Sequence, residues 1–449
     1  MAKTQPSYQC GDCGSLSVKW QGQCPGCDAW NSFREVTQAA VKRAGYAGEV
    51  QGSRLADLEG AHAERVATGM SELDRVLGGG LVRGSVVLIG GDPGIGKSTL
   101  LLQAAGAQSL TDEVMYVTGE ESLQQIALRA KRLEVNPAGL VVLAETCVER
   151  LAAAASAGSA KCVIVDSIQT IFSEALPSAP GSVAQLRECA GQLVRLAKTS
   201  GMTIILVGHV TKDGHIAGPR VLEHMVDVVL YFESESGSRF RILRAVKNRF
   251  GAANELGVFA MTENGMREVK NPSAIFLSQH PDAIPGSVVT AAFEGSRPLL
   301  IEVQALADHS GSGNARRLAV GMDQNRLSMM LATLSRHGGI TAYDQDVFIN
   351  VVGGVKIAET SADLAALTAI VSSIRNLPVP RTTLVFGEVG LAGEIRPVAY
   401  GEERLNEAAK RGFTHAVIPR ANMPKKPIPG MKLSGVDYLR GAIDALGLG

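Results

Sequence analysis

The run Gly91-Asp92-Pro93-Gly94-Ile95-Gly96-Lys97-Ser98-Thr99 constrains this chain more than any other, because it fits G-x-x-x-x-G-K-[ST] in a context where that pattern has meaning. Val86-Val87-Leu88-Ile89 before it reads as a buried strand, and Leu100-Leu101-Leu102-Gln103-Ala104-Ala105 after it reads as a helix. Strand, glycine-rich loop and helix in that order make a phosphate-binding loop. Glycines let backbone N–H groups turn inward at a helix N-terminus, Lys97 reaches the β- and γ-phosphates, and the Ser98 hydroxyl can ligate Mg²⁺. The whole run from Gly91 to Thr99 is expected to hold ATP or ADP.

A chain of 449 residues exceeds one ordinary core, and two or three domains are expected. Glycine is abundant and aromatics are scarce, which suits an α/β protein with many tight turns. Lysine plus arginine equals aspartate plus glutamate at 44 each, so no global field draws the chain to nucleic acid or an anionic membrane. Any DNA contact must come from a local patch. The N-terminus has no apolar core of a signal segment, and no apolar run nears the roughly 18 residues of a membrane span. A cytoplasmic location is expected, and Cys147, Cys162 and Cys189 read as reduced thiols used as small core residues.

Four further cysteines form two identical knuckles, Cys10-x-x-Cys13 and Cys24-x-x-Cys27, ten residues apart. Two such knuckles complete a closed tetrahedral zinc site with four thiolate ligands. A segment with so few apolar residues needs the metal to fold, and structural zinc supplies about 10 to 16 kcal/mol in finger peptides. Trp20 and Trp30 flank the second knuckle, either covering the metal site or, for Trp20 beside Lys19, stacking on a base. The organisation expected is a four-cysteine zinc finger at 1–36, a linker at 37–58, an ATPase domain at 59–270 and a second α/β domain at 271–449. Within the ATPase part, Ser71-Glu72-Leu73-Asp74 resembles a capping-box helix start and Gly78-Gly79-Gly80 a stop. Apolar runs at 114–117, 141–143, 163–165 and 204–207 alternate with helical stretches, the rhythm of a parallel sheet. After Asp227 the rhythm changes to hairpins, one of them turning at Glu263-Asn264-Gly265, so an antiparallel edge is appended. A long helix over 361–375 and strands at 383–386 and 416–418 are expected beyond the boundary.

Asp166 ends the strand Cys162-Val163-Ile164-Val165, where a carboxylate can bind Mg²⁺ through water opposite Ser98. Glu120-Glu121 follows another strand at the same edge, and one of them is expected to orient the attacking water, mutual repulsion raising the pKa of one. His209 closes a third strand there and could sense the γ-phosphate. The segment 210–220, with Lys212, His215 and Arg220, could line a DNA path or form an ordinary surface loop. Lys247 and Arg249, two apart at the end of a strand, are expected to project to one side. Facing a neighbouring subunit's nucleotide they would form a trans-acting finger, worth about 10³ to 10⁵ in rate; the alternative is pairing within one subunit.

Taken together, the four-cysteine finger, Thr68-Gly69 through Leu77-Gly78-Gly79-Gly80, the phosphate loop, Gly119-Glu120-Glu121-Ser122, Gly208-His209-Val210-Thr211-Lys212 and the stretch from Lys247 to Gly251 resemble the bacterial RadA/Sms family. The resemblance implies a RecA-type core and DNA-dependent ATP hydrolysis that drives branch migration in recombinational repair, alongside the RecA recombinase. Lys247 and Arg249 are similar to the KxR pair that DnaB-type helicases set at subunit boundaries, which implies a homohexameric ring. The C-terminal part resembles the proteolytic domain of Lon, with Asp346 to Asn350, Gly353 to Asp363 and Ser361 at the serine position. Glu402 stands where Lon has its catalytic lysine, and a carboxylate is too weak a base for the serine. The scaffold then serves oligomerisation, with Arg316, Arg317 and Arg336 as candidate DNA contacts.

The function expected is a Zn²⁺-containing, Mg²⁺-ATP-driven motor acting on single-stranded DNA and branched recombination intermediates. Its rivals are an ATP-dependent serine protease and a regulator that uses ATP only to choose its assembly state.

Overall fold

The computed structural model describes residues 7–10, 16–17, 19–25, 30–36, 64–209, 221–234, 238–278, 280, 282–311 and 315–449. Two compact units emerge, Met1–Gly52 and Ser53–Gly449. In the first, the short strands Ser7–Cys10, Leu16–Ser17 and Phe33–Val36 form an antiparallel sheet with Ser7–Cys10 in the middle. Cys24 is buried beside Phe33, with Tyr8 packed against them. Trp20 and Trp30 both approach Gly22 and remain 52% and 71% exposed, so neither seals a core.

The second unit contains a nine-stranded sheet that explains the alternation seen in the sequence. Its strands run in the order Leu140–Ala144, Val114–Thr118, Cys162–Asp166, Thr203–His209, Val86–Gly91, Val228–Glu233, Phe240–Asn248, Leu256–Thr262 and Gly265–Glu268. The first six are mutually parallel and the last three pair antiparallel, as the change of rhythm after Asp227 predicts. Parallel strands covered on both faces are apolar at every position, and the two-residue period sorts them. Val87, Ile89, Tyr116 and Ile164 face the helix Lys97–Gln108, while Val86, Leu88, Val117 and Val165 face the helices Val148–Ala157 and Val183–Ser200.

The helix Ser71–Leu77 corrects one expectation. Met70, with no side-chain cap, occupies the N-cap position, so Ser71 is already helical and no capping box forms. One orphan N–H is met from another element: Glu268 on the edge strand accepts from the Glu72 N–H at 2.6 Å, and also from the Ser71 hydroxyl at 3.0 Å. Gly78 ends the helix in the left-handed region, as expected.

A seven-stranded mixed sheet occupies the C-terminal part, in the order Arg317–Val320, Gln345–Val351, Arg297–His309, Ser287–Glu294, Thr383–Val385, His415–Pro419 and Lys432–Val436. The helix Asp363–Arg375 packs against it, buried from Asp363 through Ser372 and preceded by a 3-10 turn, Thr360–Ala362. Polar links join this part to the ATPase part: Arg297 donates to Glu72 at 3.0 Å, and Arg244 to Glu294 at 2.8 Å. No helix of the described residues is long and apolar enough to cross a membrane.

Candidate nucleotide site

The phosphate loop lies between the strand Val86–Gly91 and the helix Lys97–Gln108, and its backbone needs glycine. Gly94 has φ +76° in open space, a conformation that L side chains avoid. At Gly96, φ is +115° and a Cβ would sit 2.3 Å from the Met266 methyl. The helix that follows has no side-chain cap and no acid in its first turn, so its N–H groups stay available to an anion.

Lys97 is 3% exposed and donates to the Gly91 and Asp92 carbonyls at 2.8 and 2.9 Å. Burial pulls its pKa down to about 8, against the opposing pull of Asp166, Asp92 and Glu120. A buried ammonium held only by its own loop's carbonyls suits a phosphate. The carboxylates around it come from the ends of three strands, Glu120 after Val114–Thr118, Asp166 on Cys162–Asp166 and Asp92 after Val86–Gly91, with His209 on the strand between the last two. The register brings these ends level, Thr118 pairing with Asp166 and His209 with Gly91. All end at the carboxyl edge, where parallel sheets bind ligands. Ser98 and Asp166 are suitable oxygen donors for Mg²⁺, which prefers hydroxyl and carboxylate ligands.

Glu120 and Glu121, treated together in the sequence, have different partners. Glu120 accepts from the Ser167 hydroxyl at 2.7 Å and lies 3.7 Å from His209 Nε2. Glu121 is ion-paired with Arg129 on the following helix. The two carboxylates are thus engaged by different elements, Glu120 by the segment after Asp166 and Glu121 by the following helix. His209 is held below its usual pKa by burial and then by Lys97, and its Nδ1 is buried with no hydrogen-bond partner. Gln169 donates to the His209 carbonyl at 3.1 Å, and its own Oε1 is likewise unpartnered. Two orphaned polar atoms beside a phosphate loop fit a site completed by ligand or water. No motif in the sequence assigns Tyr116, Ser167 or Gln169 to the site. A tyrosine inside an otherwise apolar, fully buried strand was the one available signal.

Lys247 and Arg249 do not share a strand face, since the strand ends at Asn248. Lys247 donates to the Glu223 and Val226 carbonyls at 2.7 and 2.8 Å, and burial and then Arg249 lower its pKa. Arg249, 59% exposed, donates to buried Asp227 at 3.3 Å. Asp227 also accepts from the Val86 N–H at 3.0 Å and Lys198 at 2.7 Å. This cluster therefore lies at the start of the strand whose far end is the phosphate loop, roughly 16 Å away at the rise of a β-strand.

Lys212, His215 and Arg220 lie outside the described residues, as do Cys13 and Cys27; of Cys10 only the backbone is described. In the C-terminal part, Arg317 and Arg336 line a groove of about 290 Å³ with Tyr343. Ser361 is buried and donates to Glu359 at 2.6 Å. The nearest cation is Arg404, fully buried, which donates to Ser361 at 3.2 Å and to both oxygens of Glu359 at 2.8 and 2.7 Å. Burial works to raise the Glu359 carboxyl, yet the Arg404 guanidinium more than offsets this and holds it below the usual range. An arginine cannot give up its proton, and so weakly basic a carboxylate makes a poor base for serine. Glu402 is exposed in the first turn of the helix Gly401–Lys410.

The fold and site define a phosphate-loop ATPase, and the family model for an AAA domain matches residues 53–215. A model described as rubredoxin metal binding domain matches residues 8–35, and one described as subunit ChlI of Mg-chelatase matches 317–422. The chain is 58% identical to the DNA repair protein RadA of Pseudomonas aeruginosa, across 99% of this chain and 100% of that one. It is 54% identical to the RadA of Salmonella typhimurium, covering 99% of each, and 49% to that of Bacillus subtilis, covering 97% of each. A crystal structure of the RadB recombinase aligns with 45% of this chain and 99% of its own at 22% identity and a TM-score of 0.37. The chain belongs to the family of the DNA repair protein RadA.

Proposed function

We propose that this chain is a DNA-dependent, Mg²⁺-ATP-driven motor that assembles as a homohexamer and drives branch migration of recombination intermediates together with a RecA-type recombinase. The observation that carries the reading is the opposition of two edges of one sheet. Lys97, Asp166, Glu120 and His209 gather at the carboxyl edge, and Lys247 with Arg249 lie at the other. Roughly 16 Å of strand separates Arg249 from its own phosphate loop, so its guanidinium can serve a nucleotide only on another copy.

In that reading Lys97 and the loop N–H groups hold the triphosphate, and Asp166 with Ser98 holds the metal. Mg²⁺, when bound, neutralises charge on the β- and γ-phosphate oxygens. Glu120, steadied by Ser167, orients the attacking water, while Glu121 serves its helix. His209 senses loss of the γ-phosphate and passes it through its backbone to the segment 210–220, where Lys212, His215 and Arg220 meet DNA. Cys10, Cys13, Cys24 and Cys27 would hold Zn²⁺, and the burial of Cys24 against Phe33 suits a thiolate closed off from water.

The test is ATP hydrolysis by purified protein with and without single-stranded DNA, with assembly state followed by mass and branch migration assayed on a three-strand substrate. Stimulated turnover in a six-copy species is expected, and Lys97→Ala should abolish it. Turnover indifferent to DNA, or branch migration that survives Lys97→Ala, would overturn the motor reading.

A further inference from the structure

The strand Val114–Thr118 is buried along its whole length, yet carries a tyrosine at its centre. Such a strand, covered on both faces, is normally aliphatic, and a buried phenol requires a partner for its hydroxyl. Tyr116 finds one in Asp166, donating to Oδ2 at 2.5 Å. The register brings this contact within reach. Tyr116 lies opposite Ile164 and Thr118 opposite Asp166, so Tyr116 and Asp166 are diagonal neighbours on one face, about 7 to 8 Å apart at the backbone and within a phenol's reach.

Asp166 is otherwise short of partners. Among the described residues it forms no salt bridge, although it stands close enough to Lys97 to influence that amine. A half-buried carboxylate without an ion-pair partner beside a phosphate loop is built to receive a cation. With Oδ2 held by the phenol, rotation of the carboxylate is restrained and Oδ1 is left as the free donor. The geometry points to Tyr116 as a positioning residue that fixes the Asp166 carboxylate for the divalent cation accompanying the nucleotide. The inference rests on the reading of Asp166 as the metal's carboxylate. Supporting hydrogen bonds of this kind typically govern metal affinity by about 10- to 100-fold.

Mn²⁺ is the probe, its free concentration read by electron paramagnetic resonance with full-length protein and saturating ADP. In Tyr116→Phe, which removes one oxygen, Mn²⁺ affinity should fall at least about tenfold. ADP affinity in the absence of divalent cation should stay at the wild-type value. A packing role alone would lower the melting temperature and leave Mn²⁺ affinity unmoved; affinity within twofold of wild type overturns the inference. If the variant does not fold, 3-fluorotyrosine placed at 116 decides instead: its fluorine resonance should move when Mg²⁺ joins the ADP complex, and a resonance that stays fixed overturns it. Wild-type protein that takes up no Mn²⁺ with ADP overturns the underlying reading of Asp166, which separates that failure from failure of the Tyr116 role.

Discussion

Lys97 combines deep burial with a pKa of about 8, and the sign of its pH dependence follows directly. The free protein begins to lose the ammonium near pH 8, whereas phosphate oxygens favour the charged form. ATP binding should therefore take up a proton above that pH, and affinity should fall by up to about tenfold per pH unit as pH rises past 8. Titration of nucleotide affinity between pH 7 and 10 checks this, and Lys97→Arg, which stays charged, should flatten the profile. The adjacent glutamates offer a second residue-scale expectation. Glu120→Gln should lose about 10² to 10⁴ in turnover with nucleotide binding kept, while Glu121→Gln should stay within a few fold of wild type. Steady-state kinetics on the pair distinguish them. Sequence adjacency could not separate these carboxylates, because the separation comes from Ser167 and Arg129, partners supplied by a different strand end and by the next helix.

At the scale of elements, the helix Ser71–Leu77 shows where local signals stop. Its glycine stop was legible, since left-handed backbone is a property of the residue itself. Its start was not, because the cap is Glu268, 197 residues from Ser71 along the chain. Glu268→Ala should cost about 1 kcal/mol of stability, the usual magnitude of a lost N-cap, read as a shift in urea midpoint with unchanged slope. The parallel strands and the hairpins beyond Asp227 were legible from apolar runs and short turns. The shared face expected of Lys247 and Arg249 does not form, because where a strand ends depends on its pairing: Asn248 is the last residue with a partner in Val228–Glu233, and Arg249 bends back to Asp227.

For the whole molecule, the opposed edges of the nine-stranded sheet predict complementation between copies. Lys97→Ala and Arg249→Ala proteins should each hydrolyse ATP about 10³-fold or more slowly than wild type, yet an equimolar mixture should regain measurable turnover where an intact loop meets an intact finger. No recovery in mixed assemblies of confirmed composition would sink the trans arrangement. Sequence by itself determined the phosphate loop, the cysteine knuckles and the α/β rhythm, since each is a matter of spacing between near neighbours and of what those residue types can do at that spacing. Tertiary structure alone decided that Tyr116 reaches Asp166, that Glu120 rather than Glu121 joins Ser167 and His209, that Arg404 rather than Glu402 stands at Ser361, and that Arg249 lies at the far edge from its own loop. Those pairings are set by strand order and register across tens of residues, and no local pattern encodes which strand will lie beside which.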